Sequence, residues 1–273
     1  MNGARDRGAA YLHDHTDGTP AGRPLAFAHR GFAPDGDENT MAAFRAAVGL
    51  GYRYLETDVR TTRDGVLVVF HDERLDRATD GIGRVADHTY AELRRLRVAG
   101  RGRIPTFAEL LGEWPDIRLN VDVKDQAGAA LLARHIEAAD AYDRVLVSSF
   151  SARRLASARR ALARPAALGA SVPTVALAAL LGPVGLLGGI GPLLRAVDAL
   201  QVPVRKGPIP VATAGFVRRA HRRGLHVHVW VVNDPDRMRR LLDLGVDGVM
   251  TDRADLLAEA MAERGHWPQR PPR

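Results

Sequence analysis

The stretch "LAFAHRG" at residues 25–31 decides between the two folds that the rest of the chain allows. A short apolar run ends at His29 and Arg30, and a single glycine follows. An open, doubly wound sheet would more often carry a glycine-rich loop of the form G-x-G-x-x-G after its first strand. That loop is absent from this stretch, which favours a closed barrel of alternating strands and helices.

The remainder of the chain repeats the unit that begins with this strand. Seven more β-like runs follow, separated by amphipathic segments with apolar residues at helical spacing. Eight such units in a chain of 273 residues match the size and rhythm of a TIM (β/α)8 barrel. The later runs are 52–59, 117–124, 143–150, 166–171, 198–204, 225–232 and 246–252.

Several segments depart from this rhythm. Residues 60–105 form a small insertion after the second strand, and the barrel domain is predicted over 23–265. Residues 1–22 are expected to be a mobile extension, and 266–273 a Pro-rich tail that does not continue a helix. Residues 165–194 carry no charge, but their glycines and prolines predict a short strand, a short helix and loops rather than a membrane span.

The composition is that of an ordinary globular protein, with 46% hydrophobic and 26% charged residues. The net charge of +7 raises the question of nucleic-acid binding, but the basic residues are scattered along the chain and predict none. There is no cysteine, no basic start followed by an apolar leader and no predicted spanning helix, which together predict a cytoplasmic protein. The sequence does not predict an oligomeric state.

Polar side chains follow most of the predicted strands. In a β/α barrel the reactive groups lie at the C-terminal ends of the strands, so these residues are the candidates for a site. They are His29, Arg30, Glu56, Asp58, Asp122, Lys124, Ser148, Ser149, Arg205, Lys206, Trp230, Asn233, Thr251 and Asp252.

Three of these candidates are acids on adjacent predicted strands. Glu56 and Asp58 are two residues apart and share a face of their strand, as do Asp122 and Lys124. If both faces look into the barrel mouth, three carboxylates converge and repel one another. A single divalent cation would resolve that conflict, and oxygen ligands favour Mg²⁺ or Ca²⁺ over zinc.

His71 lies at the end of a predicted hairpin. The turn signal Asp64-Gly65 stands six residues after Asp58 and six before His71, so the second leg would return to the level of the acids. The alternative is a surface hairpin with an incidental histidine, and the spacing does not separate the two.

The histidines and cations extend the chemistry of the predicted site. A lone histidine at a strand end is more often structural, but His29 and His71 would stand together with three acids and a lysine at one barrel mouth. Two imidazoles across an electrophile allow one to accept a proton while the other donates one. Arg30 and Lys124, with a cation, would neutralise charge on phosphoryl oxygens, which describes phosphodiester cleavage.

At this point the sequence resembles the glycerophosphodiester phosphodiesterase family. The matching segments occur in the family's order over roughly residues 25–256. They are "AHRGFAPDGDENTMAAFRAA", "YLETDVRTTRDGVLVVFHDERLDRATDGIGRV", "IPTFAELL", "LNVDVK", "LVSSF", "HVHVWVVN" and "GVDGVMTD". The resemblance implies a TIM barrel that uses a divalent metal to hydrolyse small glycerophosphodiesters to glycerol 3-phosphate and an alcohol.

The resemblance also implies a role for each matching residue. His29 and His71 correspond to the acid/base pair. Glu56, Asp58 and Asp122 correspond to metal ligands. Arg30, Lys124, Trp230 and Asn233 correspond to residues that contact phosphate or substrate. Two positions depart from the family pattern: Asp122 replaces the usual glutamate, and Val231 replaces a common threonine.

Two other functions remain as alternatives. Asp122 and the uncharged segment 165–194 also suit a lipid phosphodiesterase of the lysophospholipase D or sphingomyelinase D kind, with transient lipid contact through that segment. A non-catalytic ligand-binding barrel would have lost a histidine or an acid, and the sequence retains all of them.

Overall fold

The computed structural model describes residues 9–13 and 23–270. Eight parallel strands form its centre, in the order β5-β4-β3-β2-β1-β8-β7-β6. Their bounds are β1 Leu25–His29, β2 Tyr54–Thr61, β3 Arg118–Val123, β4 Val145–Ser148, β5 Ala167–Leu168, β6 Ala199–Pro203, β7 His226–Trp230 and β8 Gly248–Thr251.

The sheet closes between β5 and β6. A parallel bridge joins Gly169 to Ala199, and the backbone N–H of Ala170 donates to the carbonyl of Ala199 at 2.8 Å. The predicted barrel is therefore confirmed, with every predicted strand present. Strand β5 is shorter than the predicted run 166–171.

Helices surround the barrel, and most begin at a residue that can cap them. The side chain of Asp125 accepts from the N–H of Gly128, and Thr106 and Glu109 form a reciprocal capping box. The main helices are Met41–Gly49, Phe107–Glu113, Gln126–Ala138, Ala152–Ala161, Val172–Leu181, Ala214–His221, Pro235–Asp243 and Ala254–Ala262. Short helical segments are Ala9–His13, Val85–Asp87, Tyr90–Leu93, Leu186–Ile190 and Gly191–Leu194.

Alternation along the strands divides the core into two parts. Ala26 and Ala28 of β1 pack outwards with the helices, whereas Phe27 packs inside the barrel with Tyr54 and Met250. Because alternate residues share a face, the inward-facing position after Phe27 is His29. Apolar side chains such as Phe27 and Met250 fill much of the interior, together with buried polar residues such as Asn120 and His228, and the acids and His29 lie at the C-terminal mouth.

The insertion predicted over 60–105 is present as a small subdomain. Strand β2 runs on to Thr61 because the short antiparallel strand Leu67–Val69 pairs with its end. The subdomain has an apolar cluster of its own, which consists of Val68, Phe70, Leu75, Val85, Leu93, Val98 and Ile104. It therefore has enough buried surface to hold the residues that follow the hairpin in a fixed position.

The two chain ends differ from the sequence-based expectations where the structure describes them. Within the expected mobile extension, Ala9–His13 is a helix whose Tyr11 is buried in the barrel. The predicted extension otherwise lies outside the described residues. The Pro-rich tail does not continue a helix, but it packs on the barrel: Gln269 accepts from the N–H of Ala26 and donates to the carbonyl of Pro24. The last three residues of that tail also lie outside the described residues.

The uncharged segment 165–194 contains β5, the helix Val172–Leu181 and two short helical turns, close to the strand, helix and loops that were expected. Across the described parts of the chain, no helix is both long and apolar enough to cross a membrane.

Candidate active site

A cavity of about 520 Å³ opens at the C-terminal mouth of the barrel. Of the nine residues predicted for the site, eight line this cavity: His29, Arg30, Glu56, Asp58, His71, Asp122, Lys124 and Trp230. Asn233 is the exception and does not line the cavity. The structure therefore gathers into one cavity residues that are up to 201 positions apart in the sequence, His29 to Trp230.

Lys124 lies between two of the acids. Asp58 and Asp122 are direct neighbours in the pairing of β2 with β3. The ammonium of Lys124 lies 2.8 Å from Oδ1 of Asp58 and 2.6 Å from Oδ2 of Asp122. Burial alone would raise the pKa of Asp58, but Lys124 and Arg30 together outweigh it and hold that pKa at about 2. Asp58 is therefore a permanent anion.

The negative charges of Glu56 and Asp122 are less well balanced by nearby cations than that of Asp58. Burial, followed by the charge of Asp58, raises the pKa of Glu56 to about 7. Burial also raises the pKa of Asp122, against the opposing effect of Lys124. Oδ1 of Asp122 is buried without a hydrogen-bond partner. An unpartnered buried carboxylate oxygen is costly, so these two acids leave capacity for a cation.

The three acids do not form a metal centre as they stand. In the described part of the chain, no three Asp, Glu, His or Cys side chains are arranged to hold an ion. The ammonium of Lys124 instead contacts Asp58 and Asp122 at once. The chemical type of the three side chains nevertheless suits a hard divalent ion, because all their ligand atoms are carboxylate oxygens. One of these oxygens, Oδ1 of Asp122, has no hydrogen-bond partner.

The "HRG" turn at the end of β1 positions Arg30. Arg30 has a left-handed backbone with φ of 56°, and its N–H donates to the carbonyl of Glu56 at 3.0 Å. Gly31 follows with φ of 87°, and a Cβ there would lie 2.8 Å from that of Ala43. The turn directs the Arg30 guanidinium back to Asp58, where Nε lies 3.1 Å from Oδ2.

Asn39 completes the surroundings of Asp58. Its side-chain amide donates to Oδ2 of Asp58 at 3.1 Å, and its own oxygen accepts from the hydroxyl of Thr57 at 2.8 Å. Asn39 was not predicted as a site residue, although it lies in the quoted segment "GDENTM". The backbone of Asn39 is left-handed, with φ of 59°, just before the Met41–Gly49 helix. This feature is visible only in the structure.

His29 is held by a chain of hydrogen bonds that starts at β8. Nδ1 of His29 lies 2.6 Å from Oδ1 of Asp252, and the amide of Asn233 donates to the other oxygen of Asp252 at 2.8 Å. The oxygen of Asn233 accepts from Thr251 and from the N–H of Asp252. Burial lowers the pKa of His29, but Glu56 and Asp252 together outweigh it, so the net shift is upward.

The side chain of Asn233 contacts Asp252 and Thr251 rather than the cavity. Its nitrogen and its oxygen are both hydrogen-bonded to these neighbours, and it does not line the cavity. A direct contact between Asn233 and substrate stays a prediction. Asp252 is one of the strand-end candidates without a predicted role, and its contact with His29 depends on the pairing of β1 with β8.

His71 reaches the same cavity by the predicted hairpin. Val59 pairs with Val69, and the N–H of Phe70 donates to the carbonyl of Asp58, so His71 follows directly beside the acids. Its Nδ1 lies 2.5 Å from Asp72, which in turn accepts from Arg77. Burial lowers the pKa of His71, and Lys124 and Arg30 act in the same direction against Asp58.

The remaining wall of the cavity is apolar. Trp230 and Phe150 pack against each other with ring centroids 5.6 Å apart, and Lys124 lies 5.4 Å from the centre of the Phe150 ring. Val172, Val175 and Ala176 extend this wall towards the solvent. The cavity thus has a charged floor and an apolar side.

The fold and this site define a class of protein: a β/α-barrel with two carboxylate-held imidazoles facing an acidic and cationic floor, a constellation suited to phosphodiester cleavage. The comparisons with known proteins identify the family. The model of the Glycerophosphoryl diester phosphodiesterase family matches residues 29–256, and the chain belongs to this family.

Individual relatives agree with that assignment. A Mycobacterium tuberculosis protein named "Probable glycerophosphodiester phosphodiesterase 2" is 42% identical over 249 residues, which covers 90% of this chain and 94% of the relative. A glycerophosphodiester phosphodiesterase of Caldanaerobacter subterraneus is 32% identical over 89% of this chain and 100% of the relative. An Oleispira antarctica phosphodiesterase solved with sn-glycerol-3-phosphate has the same fold, with a TM-score of 0.70 at 24% identity, over 88% of this chain and 97% of that one.

Proposed function

We propose that the chain hydrolyses small glycerophosphodiesters to glycerol 3-phosphate and an alcohol, with His29 and His71 as the proton-transfer pair and one divalent cation. The observation that carries the proposal is that each imidazole has its Nδ1 held by a carboxylate, Asp252 or Asp72, inside one cavity. The second ring nitrogen, Nε2, is then the one left to meet a substrate. The Oleispira relative was solved with glycerol 3-phosphate as its product, which supports the same product here.

The surroundings of the two histidines suggest different roles. Glu56 and Asp252 favour the protonated form of His29, so His29 is the donor to the leaving alkoxide. Burial, Lys124 and Arg30 favour the neutral form of His71, so His71 accepts the proton of the nucleophile. That nucleophile is water or the neighbouring hydroxyl of the substrate, and trapping a cyclic glycerophosphate would identify the second route. Relative rates on glycerophosphocholine and lysophosphatidylcholine separate this activity from the lysophospholipid alternative.

Glu56, Asp58 and Asp122 are the residues proposed to hold the cation, Mg²⁺ or Ca²⁺. When bound, such an ion supplies charge stabilisation to a phosphoryl oxygen. Lys124 has a long, flexible stem, so its ammonium can leave the acids and contact phosphate instead. Arg30, fixed by its turn and by Asp58, binds phosphate from the other side.

Removal of divalent ions should abolish activity and lower stability. Protein treated with EDTA is expected to be inactive until Mg²⁺ or Ca²⁺ is restored, and its melting temperature should rise with ion concentration because the ion binds only the folded state. Asp122→Asn should reduce that rise, whereas Asp116→Asn, at an ion pair with Arg270 outside the cavity, should not. Full activity in EDTA, with no shift in melting temperature, would contradict a metal site.

Asp252 is expected to act by positioning His29. Asp252→Asn should lower kcat by roughly 10–100-fold, by analogy with residues that orient a metal-bound histidine, with little change in KM. Because Asp252 favours the protonated imidazole, its loss should also move the alkaline limb of the pH profile to lower pH. If Asp252 had only a structural role, its substitution would leave the alkaline limb of the pH profile unchanged.

The chain offers a matched control for this experiment. His221 and Asp247 form a second His–Asp pair, with Nε2 of the histidine 2.7 Å from Oδ2 of the acid, and neither residue lines the cavity. Asp247→Asn should leave both kcat and the pH profile unchanged.

A further inference from the structure

Exposed apolar side chains are concentrated in two segments that also contribute to the cavity wall, the helix Val172–Leu181 with the residues after it and the hairpin that carries Lys206. We define the apolar rim as Leu177, Leu180, Val184 and Leu186 of the uncharged segment, together with Ile209 at the turn of the hairpin Arg205–Lys206/Ile209–Pro210. All five are exposed, and Leu180 reaches 71%. A group of large exposed apolar residues at one place is a mark of an interaction surface.

The helix Val172–Leu181 shows why the rim is unusual. One side of it, with Thr174 and Ala178, is buried in the protein. A second side, with Val175 and Ala179, lines the cavity, and the third carries Leu177 and Leu180 into solvent. A helix that is apolar all round is normally buried all round, so the third side needs an apolar partner.

The rim is continuous with the cavity. Val172 is exposed and also lines the cavity, and Val175 follows it inwards along the same helix. On the hairpin, Lys206 lines the cavity while Ile209 is exposed at the turn. The two segments that carry the rim therefore both contribute residues to the cavity wall.

The charge around the rim indicates the chemistry of its partner. Residues 165–194 have no charge, and the only acid between positions 165 and 233 is Asp198. The carboxylate of Asp198 is already used, since it accepts from the N–H of Leu168. Arg205 and Lys206 are exposed beside Ile209. Apolar residues flanked by cations and free of acids complement an anionic lipid surface.

We propose that the apolar rim docks the enzyme on the surface of an anionic phospholipid membrane, with Leu180, Val184, Leu186 and Ile209 entering the boundary between head groups and acyl chains. Arg205 and Lys206 contact the lipid phosphates. The active-site mouth then faces the membrane surface. Docking does not depend on the chemistry proposed for the site.

The test is sedimentation of the purified full chain with vesicles. Binding is expected to phosphatidylcholine vesicles that contain phosphatidylglycerol, more weakly to phosphatidylcholine alone, and to fall as salt increases. Leu180→Ser and Leu186→Ser should each weaken binding about tenfold or more, because each removes a large apolar side chain from the boundary. Both residues are exposed, so unchanged melting temperatures are expected.

Ile82 provides the matched control. It is 76% exposed, as large and as apolar as the rim residues, but it lies in the insertion. Ile82→Ser should bind vesicles like the parent. Turnover of soluble glycerophosphocholine should be unchanged in all three variants, which keeps this result separate from the catalytic proposal. Absence of binding to anionic vesicles would overturn the proposal, as would equal loss in Ile82→Ser. So would a dimer in solution that Leu180→Ser dissociates, because the rim would then be covered by a second copy.

Discussion

His29→Ala and His71→Ala should each lower kcat for glycerophosphocholine hydrolysis by roughly 10²–10⁴-fold, the range associated with one general acid or base. Each imidazole lines the cavity, and each is held through Nδ1 by a carboxylate, so neither can replace the other. The double variant should be scarcely worse than the poorer single one, because the two groups act in the same transition state. Steady-state kinetics on the metal-loaded protein give kcat for the two single variants and for the double variant.

The control is His88→Ala. His88 lies in the insertion, contacts the backbone of Ile82 and does not line the cavity, so kcat should stay at the parent value. Thermal unfolding of each variant should remain cooperative, because both histidines line the cavity and neither belongs to the apolar core. Near-normal turnover by either His29→Ala or His71→Ala would refute the proton-transfer assignment.

The barrel was predictable because its signals are local and repeated. Each strand is a short apolar run, and most helices carry their own capping residue. Eight consistent units therefore predict the fold even where the boundary of one element is uncertain. The return of His71 was predictable for the same reason. The Asp64-Gly65 turn and the alternation of the two legs set the register in which Val59 pairs with Val69.

The partners of the reacting groups were not predictable in the same way. Asp252 contacts His29 only because β8 pairs with β1, which joins residues 223 positions apart. Lys124 shares a strand face with Asp122, but its place between Asp122 and Asp58 depends on the register of β2 against β3. The periodicity of the sequence predicts which face of a strand a side chain occupies. It does not predict which residue of a neighbouring strand that side chain contacts in the closed barrel.

The chain ends illustrate a related limit. Tyr11 is buried inside the base of the barrel, and its carbonyl accepts from the hydroxyl of Tyr54 at 2.9 Å. Gln269 contacts the first strand from the other end of the chain. Both lie in polar or Pro-rich stretches that resemble mobile tails by composition. The composition of a segment indicates whether that segment could form a core of its own. Tyr11 and Gln269 instead fill space at the base of the barrel, which composition does not predict.

Glu56→Gln should abolish most activity and yet stabilise the metal-free protein. Burial and the charge of Asp58 raise the pKa of Glu56 from an ordinary 4.5 to about 7. Between those two values the folded state holds a proton that the unfolded state has lost, so stability falls as pH rises through this window. The full effect above pH 7 is a few kcal/mol as an order of magnitude, at about 1.4 kcal/mol for each pKa unit.

Glutamine has the same shape and no charge to desolvate. In EDTA at pH 8, Glu56→Gln should therefore unfold at a higher temperature than the parent, and the two curves should converge near pH 5. With Mg²⁺ or Ca²⁺ the order should change, because the parent gains a carboxylate–cation interaction that the variant lacks, and kcat of the variant should fall roughly 10²-fold or more. Glu113→Gln, at a surface ion pair with Arg45, should show neither effect. A melting temperature for Glu56→Gln at or below the parent's in EDTA at pH 8 would mean that Glu56 carries no uncompensated charge. The conflict between three carboxylates, which the cation is proposed to resolve, would then not exist in the folded protein.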